Sequence, residues 1–141
     1  MDTETRWRGS IRAALSAPVL AIALSLGATP APAHHSYAMF DSSGTREVNV
    51  VVAKLDWTNP HVFLWAYVAS KATPGKYDLW AFENGSPSVL SAKGWGPTTL
   101  KAGDKIVVEY WPLKDGRVGG HFERATFPDG RTLRGAGGPG R

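Results

Sequence analysis

From residue 47 to residue 57 the chain is rich in β-branched side chains, with Val48, Val50, Val51 and Val52 followed by the apolar Leu55 in one run that ends at Thr58, Asn59 and Pro60. Such side chains pack well on a pleated surface, and an Asn–Pro pair marks a turn, so the run predicts a first strand. Residues 61–68 read as a second strand, closed by Thr73, Pro74 and Gly75. A third covers 76–83, where alternation puts Tyr77, Leu79 and Ala81 on one face and Asp78, Trp80 and Phe82 on the other. The period then changes. Ser86 is a helix N-cap, Pro87 suits the first helical position and Gly94 falls just past the end, which predicts a two-turn helix over 86–94. Strand patterning resumes at 105–111, stopped by Pro112, and at 120–127, with turns at Asp115–Gly116 and Asp129–Gly130 and a short extended piece at Thr132 and Leu133. The order β-β-β-α-β-β predicts an all-β fold with one short helix, a small OB-like Greek-key barrel. A small sandwich is the runner-up, but it has no natural place for a lone helix in mid-chain.

The first 33 residues follow a different rule. Arg6, Arg8 and Arg12 give a positive start, an apolar stretch runs over 13–26, and Ala31-Pro32-Ala33 has the small–x–small form that a signal peptidase accepts. That order is a cleavable secretory signal. The apolar stretch falls short of the roughly 20 residues that span a bilayer, and no stop-transfer flank follows it. Arg6 and Arg8 are separated by Trp7, which favours general secretion over twin-arginine export. The expected organisation is a leader over 1–33, a single β-barrel domain over 34–133, and a flexible glycine-rich tail over 134–141. The expected location is the periplasm or the exterior, with no transmembrane segment once the leader is removed.

Charge and composition then narrow the chemistry. The 141-residue chain carries a formal charge of +4 and no cysteine. The leader holds three arginines, Asp2 and Glu4, so the mature chain of 108 residues falls to +3. So small an excess gives no reason to expect a nucleic-acid partner. Without cysteine there are no disulfides, thiol nucleophiles or thiolate metal sites, and the phenylalanines and the five tryptophans that follow the leader must supply much of the apolar burial. Trp57, Trp65, Trp80 and Trp95 are also the candidate stacking surfaces for a small-molecule ligand on the barrel face or at its mouth.

Cleavage after Ala33 makes His34 the mature N-terminus, followed by His35. A terminal histidine offers its α-amine and its imidazole Nδ1 to one metal ion, and a further imidazole completes a three-nitrogen set of histidine-brace type. Nitrogen-rich tetragonal coordination suits Cu(II). The candidate metal ligands are therefore His34, His35, His61 and His121, and the possible cofactor is copper. The plainer alternative leaves His34 and His35 as flexible terminal residues, His61 as a strand-edge residue and His121 as an exposed strand position. Enzyme signals are poor. No H-E-x-x-H, nucleophile elbow or phosphate cradle is present, and Asp56, Asp78, Glu83, Asp104 and Glu109 are scattered through strands and turns. The balance is against an enzyme.

Several short motifs occur in a distinctive order: His34-His35-Ser36-Tyr37-Ala38-Met39-Phe40-Asp41, Trp57-Thr58-Asn59-Pro60-His61, Ser86-Pro87-Ser88-Val89-Leu90, Gly94-Trp95, Gly103-Asp104-Lys105-Ile106-Val107-Val108 and Pro112-Leu113-Lys114-Asp115-Gly116. In this order, from His34 to about Leu133, the chain resembles an exported family of Gram-negative bacteria known as a domain of unknown function. The resemblance implies a secreted or periplasmic single-domain protein with no established activity and no catalytic residues to carry over. Three functions remain open at this level: a non-enzymatic binding or accessory protein, a copper protein using His34, and a structural subunit of an envelope complex docked on an envelope protein through strand edges.

Overall fold

The alternating segments form strands because each has one face of branched and aromatic side chains to bury. In chain order they are β1 (Arg46–Asp56), β2 (Phe63–Ala69), β3 (Tyr77–Glu83), the helix α1 (Pro87–Ser91), β4 (Lys105–Pro112), β5 (Gly120–Thr126) and β6 (Thr132–Arg134). This computed structural model describes residues 37–138, which lie within one compact unit. The predicted leader, His34, His35 and the last three residues lie outside the described residues.

The strands are hydrogen-bonded in the order β3-β2-β1-β4-β5-β6, and β3 also meets β5. That pairing is parallel, Phe82 with Gly120 and Glu83 with His121, and it closes β1 to β5 into a five-stranded barrel. The expected barrel is therefore the observed one, with β6 as an extra strand along residues 124–126 of β5. One edge of β5 is shared between β3 near its start and β6 further on. Closure needs glycine at the seam. Gly119 has φ +96°, and a Cβ there would collide with the Ala81 carbonyl oxygen; a Cβ on Gly120 would collide with that of Trp111.

Val50, Val52, Leu64, Ala66, Val68, Phe82, Ile106, Val108, Tyr110, Phe122 and Ala125 fill the interior, with register shifts at residues 52–54 of β1 and 109–110 of β4 bending the strands. α1 contributes Leu90 to the same core. The helix is shorter than its boundary signals predicted. Ser86 accepts from the Val89 N–H and Pro87 opens the first turn, but Lys93 and Gly94 already donate to carbonyls three residues back, at Leu90 and Ser91. Trp95 N–H returns to the Leu90 carbonyl across Gly94 at φ +86°. The predicted second turn is thus spent on a glycine C-cap.

The tail departs from expectation over residues 135–138. Gly135 and Gly138 are buried, the Ala136 N–H donates to Asn84 Oδ1 at 2.8 Å, and Gly138 lies so close to the Trp111 ring that a Cβ would overlap it. Glycines pack here through their backbone, with no side chain to bury.

Candidate functional site

At the closure seam two histidines of β2's entry and β5 meet carboxylates. His61 precedes Val62, whose N–H donates to the Gly85 carbonyl at 3.0 Å and whose carbonyl accepts from the Asn84 N–H at 2.9 Å. This extra pairing holds His61 beside the end of β3, and His61 Nδ1 lies 2.8 Å from Glu83 Oε1. The adjoining Asn59–Pro60 bond is cis. Glu83 is in turn the register partner of His121. His121 Nδ1 is hydrogen-bonded to Glu123 Oε1 at 3.0 Å, two residues along the same strand face. An ionised carboxylate only accepts, so Nδ1 of His121 carries the hydrogen and Nε2 is the ring nitrogen left for another partner.

His121 is only 2% exposed, and because the next residue, Phe122, fills the core, strand alternation turns the imidazole to the other face of β5. Three rings enclose it: Trp111 stacked with centroids 5.4 Å apart, Tyr37 at 4.9 Å and Phe40 at 5.5 Å. The N-terminal segment supplies two of them. Asp41 N–H donates to the Pro112 carbonyl, Lys114 N–H to Met39 and the Lys114 ammonium to Ala38, which ties residues 38–41 along 112–114. The Tyr37 hydroxyl donates to the Gly137 carbonyl at 3.1 Å, so both ends of the described chain cover the imidazole. Burial, and then the negative charges of Glu83 and Glu123, push the Tyr37 phenol above its usual pKa. Both carboxylates therefore bear on the Tyr37 hydroxyl, though less than its burial does.

The expectation of an exposed His121 is corrected: the terminal segments, invisible to strand periodicity, cover it. His34 and His35 lie outside the described residues. Among the described residues no three His, Asp or Glu side chains are placed to hold a metal ion. With each Nδ1 facing a glutamate, His61 and His121 offer two imidazole nitrogens, and the remaining ligands of any metal must come from elsewhere.

A family profile matches residues 22–123. The chain belongs to DUF6152, a family of unknown function. The DUF6152 match takes in all four histidines, Tyr37, Glu83 and Glu123, and stops before β6 and the tail. No curated protein and no solved structure matches the chain. Among the described residues no helix is long and apolar enough to cross a membrane.

The four tryptophans do not form one surface. Trp95 is buried in the core, edge-on to Phe122, with its indole N–H donating to the Arg134 carbonyl at 2.8 Å, so it has no face for a ligand. Trp57 and Trp80 are half-buried against the same core. Trp65 lies half-buried with the Lys54 ammonium 5.6 Å from its ring. Sequence reasoning missed Tyr37, Phe40, Trp111, Glu83 and Glu123 as site residues. The His-x-Glu spacing at 121–123 was a readable sign, because residues two apart on a strand share a face. Glu83 had none, since it meets His121 only through barrel closure.

Proposed function

We propose that this chain is an exported, non-enzymatic binding protein whose ligand is a copper ion, held by His34 at a processed N-terminus together with His61 and His121. The observation that carries the reading is the pair of imidazoles at the seam, each with Nδ1 turned to a glutamate. Metal-bound histidines commonly give their second nitrogen to a carboxylate, which fixes the ring and raises its basicity. The chain's covalent geometry supports the rest. Extended backbone advances at most about 3.6 Å per residue, so His34 starts within roughly 11 Å of Tyr37, whose ring touches His121. The sequence pattern of residues 1–33 supports cleavage at that histidine and export to the periplasm. Copper would contribute Lewis acidity and one-electron chemistry; the protein's own residues orient two imidazoles, supply anionic compensation through Glu83 and Glu123, and shield His121 from water with three rings.

The test is Cu(II) titration of protein beginning at His34 against protein carrying one extra N-terminal residue. The processed form should give a visible d–d band at one equivalent, and the extended form should lose it because the terminal amine has become an amide. Glu83→Gln should weaken binding about 10- to 100-fold while leaving the circular dichroism unchanged. Equal copper binding by both N-terminal forms, or by His61→Ala, would show the reading to be wrong.

A further inference from the structure

The outer face of the sheet holds apolar surface that the histidine cluster does not use. A groove of about 400 Å³ crosses β3, β2, β1 and β4, with Val51, Tyr67, Tyr77 and Val107 among its lining residues and Lys105 beside them. The register explains its continuity: Ala69 pairs with Tyr77, Val51 with both Tyr67 and Lys105, and residues so paired stand on one side of a sheet. A neighbouring depression continues it through Ala53, Trp65 and Leu79 with Lys54 at hand. Tyr67, Tyr77 and Leu79 are 47%, 64% and 48% exposed, a clustering of large apolar side chains that solvent-facing sheets avoid unless it serves binding.

Charge selects the occupant. No aspartate or glutamate lines the groove or its extension, while each has one lysine. Lys54 is shared with Asp56, but Lys105 makes no ion pair among the described residues. The Trp65 indole N–H also finds no acceptor there. We infer that this groove is a second binding site, separate from the histidine cluster, for a flat aromatic small molecule bearing one anionic group, its ring laid against Tyr67 and Tyr77 and its charge met by Lys105. The volume lies in the range of small-molecule sites, tyrosine faces suit ring stacking, and an amine over apolar surface attracts an anion more strongly than one in open water.

Two probes of similar shape separate the terms, 1-anilinonaphthalene-8-sulfonate and the neutral N-phenyl-1-naphthylamine, each titrated into the folded mature protein by fluorescence. The sulfonate should bind saturably at one equivalent, more weakly as salt is raised. Lys105→Glu should weaken the sulfonate roughly tenfold and change the neutral dye by less than about twofold; Tyr77→Ala should weaken both. Both side chains are exposed, so thermal unfolding of the variants should match the parent. Unsaturable dye binding, or sulfonate affinity in Lys105→Glu or in Tyr77→Ala equal to that of the parent, would overturn the site. So would a dimer in sedimentation that Tyr77→Ala dissociates, which would give the face to a second copy of the chain. Dye affinity should be the same with and without Cu(II), so the copper reading can fail without affecting this result.

Discussion

At the scale of single residues, polar side chains in this protein act mostly on their own neighbourhood. Asp115 and Asp129 each accept the backbone N–H and the Nε–H of the arginine two residues on, across a glycine at positive φ, and the repeated Asp-Gly-Arg triplet builds the same turn twice. Those bonds hold both carboxyls below the ordinary aspartate range, as Ser43 does for Asp41. Asp115 and Asp129 are exposed and Asp41 is half-buried, and none of the three is part of the hydrophobic core. The phenols differ. Burial raises Tyr37 and Tyr110 above 10.0, the usual value. The folded state therefore prefers both protonated, and their contribution is complete below pH 10 and fades as pH climbs through the raised values. Chemical denaturation between pH 8 and 11 should show stability dropping above pH 10, with the drop reduced in a Tyr37→Phe, Tyr110→Phe double variant. A profile as steep in the double variant as in the parent would refute that assignment. The turns were readable from sequence because their partners are two residues apart. The elevated phenols were not, because the groups around Tyr37 come from β3 and β5.

At the scale of elements, the seam between β3 and β5 decides the architecture. Strand periodicity makes five good strands and is silent on which edges meet. The two adjacent glycines before His121 are the local sign of closure, since two backbones approach there with no room for Cβ. Gly119→Ala should destabilise the protein by roughly 2 kcal/mol or more, from the left-handed φ together with the clash against Ala81. Gly44→Ala, with nothing within 4 Å of the added carbon, should stay within about 0.5 kcal/mol. Urea unfolding of the two variants side by side is the measurement, and equal midpoints would mean that the seam tolerates a side chain. The helix illustrates the opposite case. Its Ser86-Pro87 start and Gly94 stop are local chemistry and were legible, whereas its single-turn length followed from how the chain returns from Leu90 to bury Trp95.

At the scale of the whole molecule, the two ends of the described chain converge on one imidazole. Tyr37 and Phe40 arrive from the N-terminal side, and residues 135–138 arrive from β6 to bind Tyr37 through Gly137, Asn84 through Ala136 and Trp111 through Gly138. Deleting residues 135–141 should remove three of these contacts at once. Tryptophan emission should shift to the red as Trp111 meets water, and stability should fall by about 1–3 kcal/mol, the cost of leaving buried polar groups unpaired. An unchanged spectrum would mean that the cover over His121 stands without the tail. By itself the sequence determined the strands, the helix cap, the turns and the barrel class, because each is written in neighbours two to four residues apart. It also picked out His61 and His121 as scarce nitrogens. Tertiary structure alone decided that Glu83 and Glu123 face those nitrogens, that the glycine-rich tail packs its backbone against Tyr37 and Trp111, and that Trp95 belongs to the core. Those outcomes depend on pairing between residues tens of positions apart, and hydrophobic periodicity carries no information about which strand edges will meet.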